Sequence, residues 1–254
     1  MNLRDYFTIF FAVLSSLFSY AKSRFRIVCG ELLRIEDSPY MVSIYHIKTH
    51  ICAGSLVTME KVITAAHCVA DKEAKILVVK AGVTNRVSET GQCRTGMEVF
   101  ISYAYEAKTY HMDIAGIKLS TPFIKSPQVS TIPICSTQLT PNTPMEVSGW
   151  GSTSESSKDT VAELRTTVVH IIAKTLCANN YHTKGTTVTK IMICAGLNGK
   201  DTCHGDSGTP GVVGGELCAV VSCGVGCGRP EFPGIYTDMT NKNVQWFIDK
   251  FMNC

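Results

Sequence analysis

The chain has 254 residues, of which 45% are hydrophobic and 18% charged, with 24 basic and 21 acidic side chains and a formal net charge of +3. That length fits one large all-β unit or two small domains, either of which buries a sizeable core, and no internal repeat or low-complexity tract interrupts it. Four of the basic residues (Arg4, Lys22, Arg24, Arg26) and one acidic residue (Asp5) precede residue 27, so the whole excess charge lies there and the remainder is balanced. A balanced chain offers no electrostatic case for nucleic acid or an anionic membrane as partner.

The first element is a charge-free run from Tyr6 to Ala21, preceded by Arg4, with an apolar centre at Phe7–Leu14 and small or polar residues at Ser19–Ala21. This reads as a secretory signal peptide over residues 1–21, and hence a secreted, extracellular protein; the run is shorter than the roughly 20 residues needed to cross a bilayer. A short basic segment, 22–26, follows. Twelve cysteines behind such a leader argue for disulfides formed in an oxidising compartment. Zinc is the weaker reading, because Cys223 and Cys227 lack a second Cys or His pair.

After Ile27 come short β-rich runs separated by turn residues. In order they are Tyr40–His46, Cys52–Val57, Lys61–Thr64, Lys75–Lys80, Glu98–Ser102 and Ile114–Leu119. The second half continues with Met145–Gly149, Arg165–Ile172, Met192–Ala195, Gly211–Val213, Leu217–Ser222 and Gly234–Tyr236. Such a pattern indicates an antiparallel sandwich or barrel without separating the two. Asn241–Phe251 carries Val244, Phe247, Ile248 and Phe251 at helical spacing and reads as an amphipathic helix packed on the body of the protein.

Three segments carry chemistry. Thr64-Ala65-Ala66-His67-Cys68 holds a histidine among small residues, and His111-Met112-Asp113-Ile114 opens an apolar run with an aspartate. The third, Asp201-Thr202-Cys203-His204-Gly205-Asp206-Ser207-Gly208-Thr209-Pro210, sets a serine between glycines. Glycines permit the sharp turn that exposes a hydroxyl beside free N–H groups. A serine is a weak nucleophile at neutral pH, so it needs a general base, and the base needs a partner that fixes its tautomer.

On these three motifs, in the order His, Asp, Ser, the chain from Ile27 onward resembles the trypsin-like serine proteases of chymotrypsin fold, the family whose triad is the standard template for this chemistry. The resemblance implies an all-β fold of two six-stranded antiparallel β-barrels with a C-terminal α-helix. Pro133–Pro144 would be the linker, and the active site would lie in the cleft between the barrels. It assigns Ser207 as nucleophile, His67 as base and then acid, Asp113 as the group that orients His67, and the Gly205 and Ser207 N–H groups as the oxyanion hole. Asp201 would form the base of a specificity pocket lined by Gly224 and Gly234, so that polypeptide substrates are cut after Arg or Lys. Ser222, Cys223 and Gly224 would offer backbone groups to the substrate strand.

The resemblance also implies a zymogen. Cutting between Arg26 and Ile27 would free an amine that turns inward to pair with Asp206, shaping the pocket and the oxyanion hole. An activating protease and protein inhibitors are the partners it suggests. Its implied disulfides are Cys52–Cys68, Cys177–Cys194 and Cys203–Cys227; Cys135 has Cys218 or Cys254 as candidates, and Cys29, Cys93 and Cys223 have none assigned. No cofactor, metal or N-glycan is expected. Glu89 is the only carboxylate in the Ala81–Gly96 loop, where calcium would want several.

Some residues depart from the family. Cys223 stands where a tryptophan usually walls the outer subsites, Thr209 replaces the usual second glycine after the nucleophile, and Cys29 replaces a glycine near the new N-terminus. Met145 and Val213, both apolar, occupy positions that many relatives join by a disulfide. Two alternatives stay open: a catalytically impaired homologue serving as a binding module or cascade cofactor, and an enzyme whose pocket favours bulky apolar side chains.

Overall fold

The computed structural model describes residues 30–254 apart from Lys158, Asn198 and Lys200. The leader, the basic segment, Arg26, Ile27 and Cys29 therefore lie outside the described residues. Strand β1 (Glu31–Leu32) is followed by β2 (Met41–His46), β3 (Thr49–Thr58), β4 (Lys61–Thr64), helix α1 (Ala66–Val69), β5 (Leu77–Ala81), β6 (Gln92–Ile101) and β7 (Ala115–Leu119). These close an antiparallel barrel in the order β2-β3-β4-β7-β6-β5.

The second half comprises β8 (Pro144–Gly149), β9 (Arg165–Ile172), α2 (Lys174–His182), β10 (Met192–Gly196), β11 (Pro210–Val213), β12 (Glu216–Cys223), β13 (Gly234–Asp238) and α3 (Lys242–Met252). Its sheet runs β9-β10-β13-β12-β11-β8, and the pairing of β8 with β9 closes it, with β1 added beside β9. The chain thus adopts the two six-stranded barrels and terminal helix that its motifs imply.

Each strand alternates its side chains, so a closed barrel buries one set in its interior and leaves the other for solvent or the partner barrel. Val42, Ile44, Leu56, Ile63, Val79 and Ile117 fill the first core, and Met145, Val147, Val169, Ala219 and Tyr236 pack together in the second. Between the barrels sits a separate cluster of Ile35, Met41, Ala53, Val83, Trp150 and Leu164. The linker is tied to β12 by a Cys135–Cys218 disulfide and by the Leu217 N–H, which donates to Pro133 O at 2.8 Å.

Helix α3 starts at an Asn241 cap that accepts from the Asn243 N–H at 3.0 Å and ends on an unusual support. Buried Lys61 of β4 donates to the carbonyls of Phe251, Met252 and Cys254 at 3.1, 2.8 and 2.9 Å. A helix leaves its last carbonyls unpaired and carries partial negative charge there, so an ammonium at that end satisfies both needs. A terminal segment is thereby locked to the first barrel, with Phe251 seated against Gly116.

Candidate active site

His67 sits in α1 and Asp113 just ahead of β7, and both belong to the first barrel. His67 Nδ1 lies 2.7 Å from Asp113 Oδ2, and the His67 backbone N–H donates to Asp113 Oδ1 at 2.8 Å. From the second barrel, the Ser222 hydroxyl donates to Asp113 Oδ2 at 2.6 Å and the Thr237 hydroxyl donates to the Asp113 carbonyl at 2.9 Å. Asp113 is fully buried, so these donors replace the water that an ionised carboxylate would otherwise hold. A carboxylate accepts, so the network assigns the proton to Nδ1 and leaves the Nε2 lone pair for another donor.

His67 opens onto a cleft of about 220 Å³ whose walls include Ser207, Asp201, Ser222, Gly224 and Gly234. The cleft therefore brings together the histidine, the serine and the pocket residues. Asp113, Gly205 and Asp206 are not among its lining residues; Asp113 and Asp206 are buried and Gly205 is half-buried. Tyr110 and His204 also line it, and neither was singled out by the sequence reading. Tyr110 meets the His67 ring edge-on with 5.5 Å between centroids. Its proximity to Asp113 in the chain was the one available signal.

The serine loop is threaded between the barrels. Ser207 O accepts from Ala53 N of β3 at 2.9 Å, and Gly208 N donates to Val221 O of β12 at 2.9 Å. Gly208 has φ +80°, and a Cβ there would collide with Thr64 Oγ1 and the Ala53 carbonyl. Only glycine fits both the dihedral and the space. The Asp206 N–H turns inward to Cys203 O at 3.0 Å, whereas among the described residues neither the Gly205 nor the Ser207 N–H has an acceptor. Two such donors on one tight turn suit a developing oxyanion.

Asp206 is buried, with its carboxylate accepting from Gly151 N at 2.7 Å and Cys203 N at 3.0 Å. Gly149 and Gly151 leave the room it occupies. Burial still wins over the two amides and pushes its pKa up to about 6. Asp201, a buried residue that lines the cleft, accepts from Thr202 N at 2.8 Å and Gly228 N at 3.2 Å. Burial pushes it up to about 7. A Cβ on Gly234 would come within 2.7 Å of Asp201 Oδ1, so glycine there keeps the carboxylate reachable.

Disulfides frame this site: Cys52–Cys68 braces α1 against β3, Cys203–Cys227 joins the serine loop to the segment between β12 and β13, and Cys177–Cys194 ties α2 to β10. Among the described residues, each of the three groups of side chains close enough to hold a metal includes one disulfide pair, whose sulfurs are already bonded. Among the described residues, Cys93, Cys223 and Cys254 have no disulfide partner, and burial pushes the Cys223 thiol up to about 11. Thr209 is fully buried, and its φ is not in the left-handed region. Met145 and Val213 pack in one apolar cluster.

Two antiparallel barrels flanking a cleft with a paired histidine and aspartate and a serine on a glycine turn define the class of serine endopeptidases of two-barrel fold. The trypsin family model matches residues 27–247, and the chain belongs to that family. It is 35% identical to trypsin alpha of Drosophila melanogaster, over 84% of this chain and 83% of that one. It is 38% identical to hypodermin-B of Hypoderma lineatum, over 85% of this chain and 84% of the relative.

Proposed function

We propose that the chain is the zymogen of a secreted serine endopeptidase which, once cut between Arg26 and Ile27, hydrolyses polypeptides after arginine or lysine. The observation that carries this reading is the 2.7 Å pair of His67 and Asp113, with His67 lining the same cleft as Ser207 and Asp201.

In this reading the Ser207 hydroxyl attacks the scissile carbonyl carbon while His67 Nε2 takes its proton. Asp113 holds the ring in the required tautomer and stabilises the imidazolium. The Gly205 and Ser207 N–H groups receive the oxyanion. Collapse of the intermediate expels the amine, which leaves with the proton from His67, and Ser207 keeps the acyl group as an ester. Water then repeats the sequence and frees Ser207. A P1 guanidinium or ammonium would ionise Asp201 and pair with it, whereas an apolar side chain would leave that carboxyl buried without a partner.

The zymogen step has its own support. Asp206 is buried, and among the described residues no cation lies within ion-pair distance of it. An Ile27 ammonium brought there by cleavage would supply one, and the carboxylate's link to Gly151 and Cys203 would pass that constraint to the serine loop. The test is covalent labelling of cleaved protein by a fluorophosphonate. The expected adduct is on Ser207, lost in His67→Ala. An unlabelled Ser207 in protein with a free Ile27 amine would overturn the reading.

A further inference from the structure

The segment 82–91 joins β5 to β6 on the first barrel, yet its polar groups reach the second. Thr84 O accepts from Trp150 Nε1 at 3.0 Å and from Leu164 N at 2.8 Å. Arg86 N donates to Ala162 O at 2.9 Å, and its guanidinium donates to Val161 O at 2.9 Å and to both the carbonyl and the hydroxyl of Thr160. At its own carbonyl, Arg86 is held from the first barrel by Lys80 Nζ at 3.1 Å and the Tyr45 hydroxyl at 3.3 Å. It is a strut with both ends fixed.

What the strut supports is the serine loop. The Thr160 methyl occupies the place where a side chain on Gly205 would begin, and Gly205 has φ +90°. In the peptide that joins His204 to Gly205, the His204 carbonyl accepts from Ser152 N at 2.7 Å. A trans peptide is planar, so anchoring the His204 carbonyl on Ser152 directs the Gly205 N–H the opposite way. Ser152 and Thr160 thus fix the Gly205 peptide on two sides, and Arg86 fixes Thr160.

We propose that Arg86 is a positioning residue for the oxyanion donor at Gly205, acting through Thr160. The inference rests on the reading of Gly205 and Ser207 as the oxyanion hole. Complete loss of one such donor costs about 10²–10³ in kcat, so letting it drift is expected to cost about 10-fold or somewhat more. Asp201 makes neither contact and is held instead by Thr202 N and Gly228 N, so binding of a cation at that carboxylate is expected to stay.

The experiment measures kcat and KM on an arginine reporter peptide for full-length protein cleaved after Arg26, with binding of two inhibitors. A peptide boronate mimics the tetrahedral intermediate and uses the oxyanion donors, and a benzamidine-type amidinium uses Asp201 alone. Arg86→Ala is expected to lower kcat and boronate affinity by about 10-fold or more, with KM and amidinium affinity within about twofold. Arg86→Lys restores part of the loss. Thr160→Ser keeps the acceptor for Arg86 and removes the methyl over Gly205, so it shares the kcat loss at unchanged melting temperature.

Arg94→Ala removes a guanidinium of the same barrel that reaches Pro122, and it is expected to leave all four quantities unchanged. Wild-type kcat in Arg86→Ala overturns the inference, and so does wild-type kcat in Thr160→Ser, because Arg86 then does not act through Thr160. Equal losses for boronate and amidinium overturn it too, because they mark general loosening. An inert wild type, seen before any variant is made, overturns the reading of the serine loop itself.

Discussion

Ser222 of the second barrel donates its hydroxyl to Asp113 of the first at 2.6 Å, so the carboxylate that orients His67 is held from across the barrel interface. The pair makes the site dependent on barrel docking. Replacing Ser222 by alanine leaves a buried carboxylate short of one donor, which costs about 2 kcal/mol for a hydrogen bond to a charged group. Ser222→Ala is expected to lose about that much stability in urea unfolding and about tenfold in kcat as Asp113 loosens its hold on His67. Wild-type turnover in the variant would contradict this role.

Asp201 sets a pH dependence that follows chiefly from its burial, with the neighbouring Asp206 charge adding to it. Its carboxyl is raised from 3.8 to about 7, so between those values the folded protein holds a proton that the unfolded chain has lost. The free protein therefore loses stability from this group as pH rises through that window. Binding of an amidinium goes the other way, because the cation selects the ionised carboxylate. Inhibition by a benzamidine-type probe is expected to tighten about tenfold per pH unit below about 7 and to level off above it. Affinity that is flat from pH 5 to 8 would contradict the assignment.

Thr209 stands beside Gly208 with its hydroxyl buried and, among the described residues, without a hydrogen-bond partner. Its methyl fits over Gly149, so the side chain is kept for its shape. A buried hydroxyl without a partner costs about 1–3 kcal/mol, so Thr209→Val is expected to raise stability by about 1 kcal/mol with activity retained. Thr209→Gly, the residue common in relatives, is expected to lower it by opening a gap and freeing the backbone. A destabilised valine variant would refute the packing account.

The motifs around His67, Asp113 and Ser207 were legible because the chemistry restricts residue types and the turns around them restrict neighbours to glycine and alanine. Strand positions were legible where one face is apolar. The start of β6 was not, since Gln92, Cys93, Arg94 and Thr95 lie on a largely polar, exposed stretch that carries no hydrophobic alternation. Helix α2 escaped notice because it buries little beyond Cys177 and Tyr181.

The missed roles depend on distant partners. Lys61 caps a helix end about 190 residues away, and Arg86 reaches about 75 residues ahead; both read locally as ordinary surface charges. Ser222 was expected to serve the substrate through its backbone, and its side chain proves to serve Asp113. Cys135 had two candidate partners until the fold brought β12 and Cys218 beside it. Spacing in sequence carries no information about such long-range pairs.

The measurement that tests the central claim most directly is hydrolysis of matched Arg, Lys and Phe reporter peptides by protein cut after Arg26, beside Ser207→Ala and Asp201→Ser. Strong turnover of the Arg or Lys peptide and little of the Phe peptide are expected, with all turnover lost in Ser207→Ala and the basic preference lost in Asp201→Ser. No turnover of any peptide, by protein whose Ile27 amine is demonstrably free, would contradict that claim and favour a binding module that keeps only the fold.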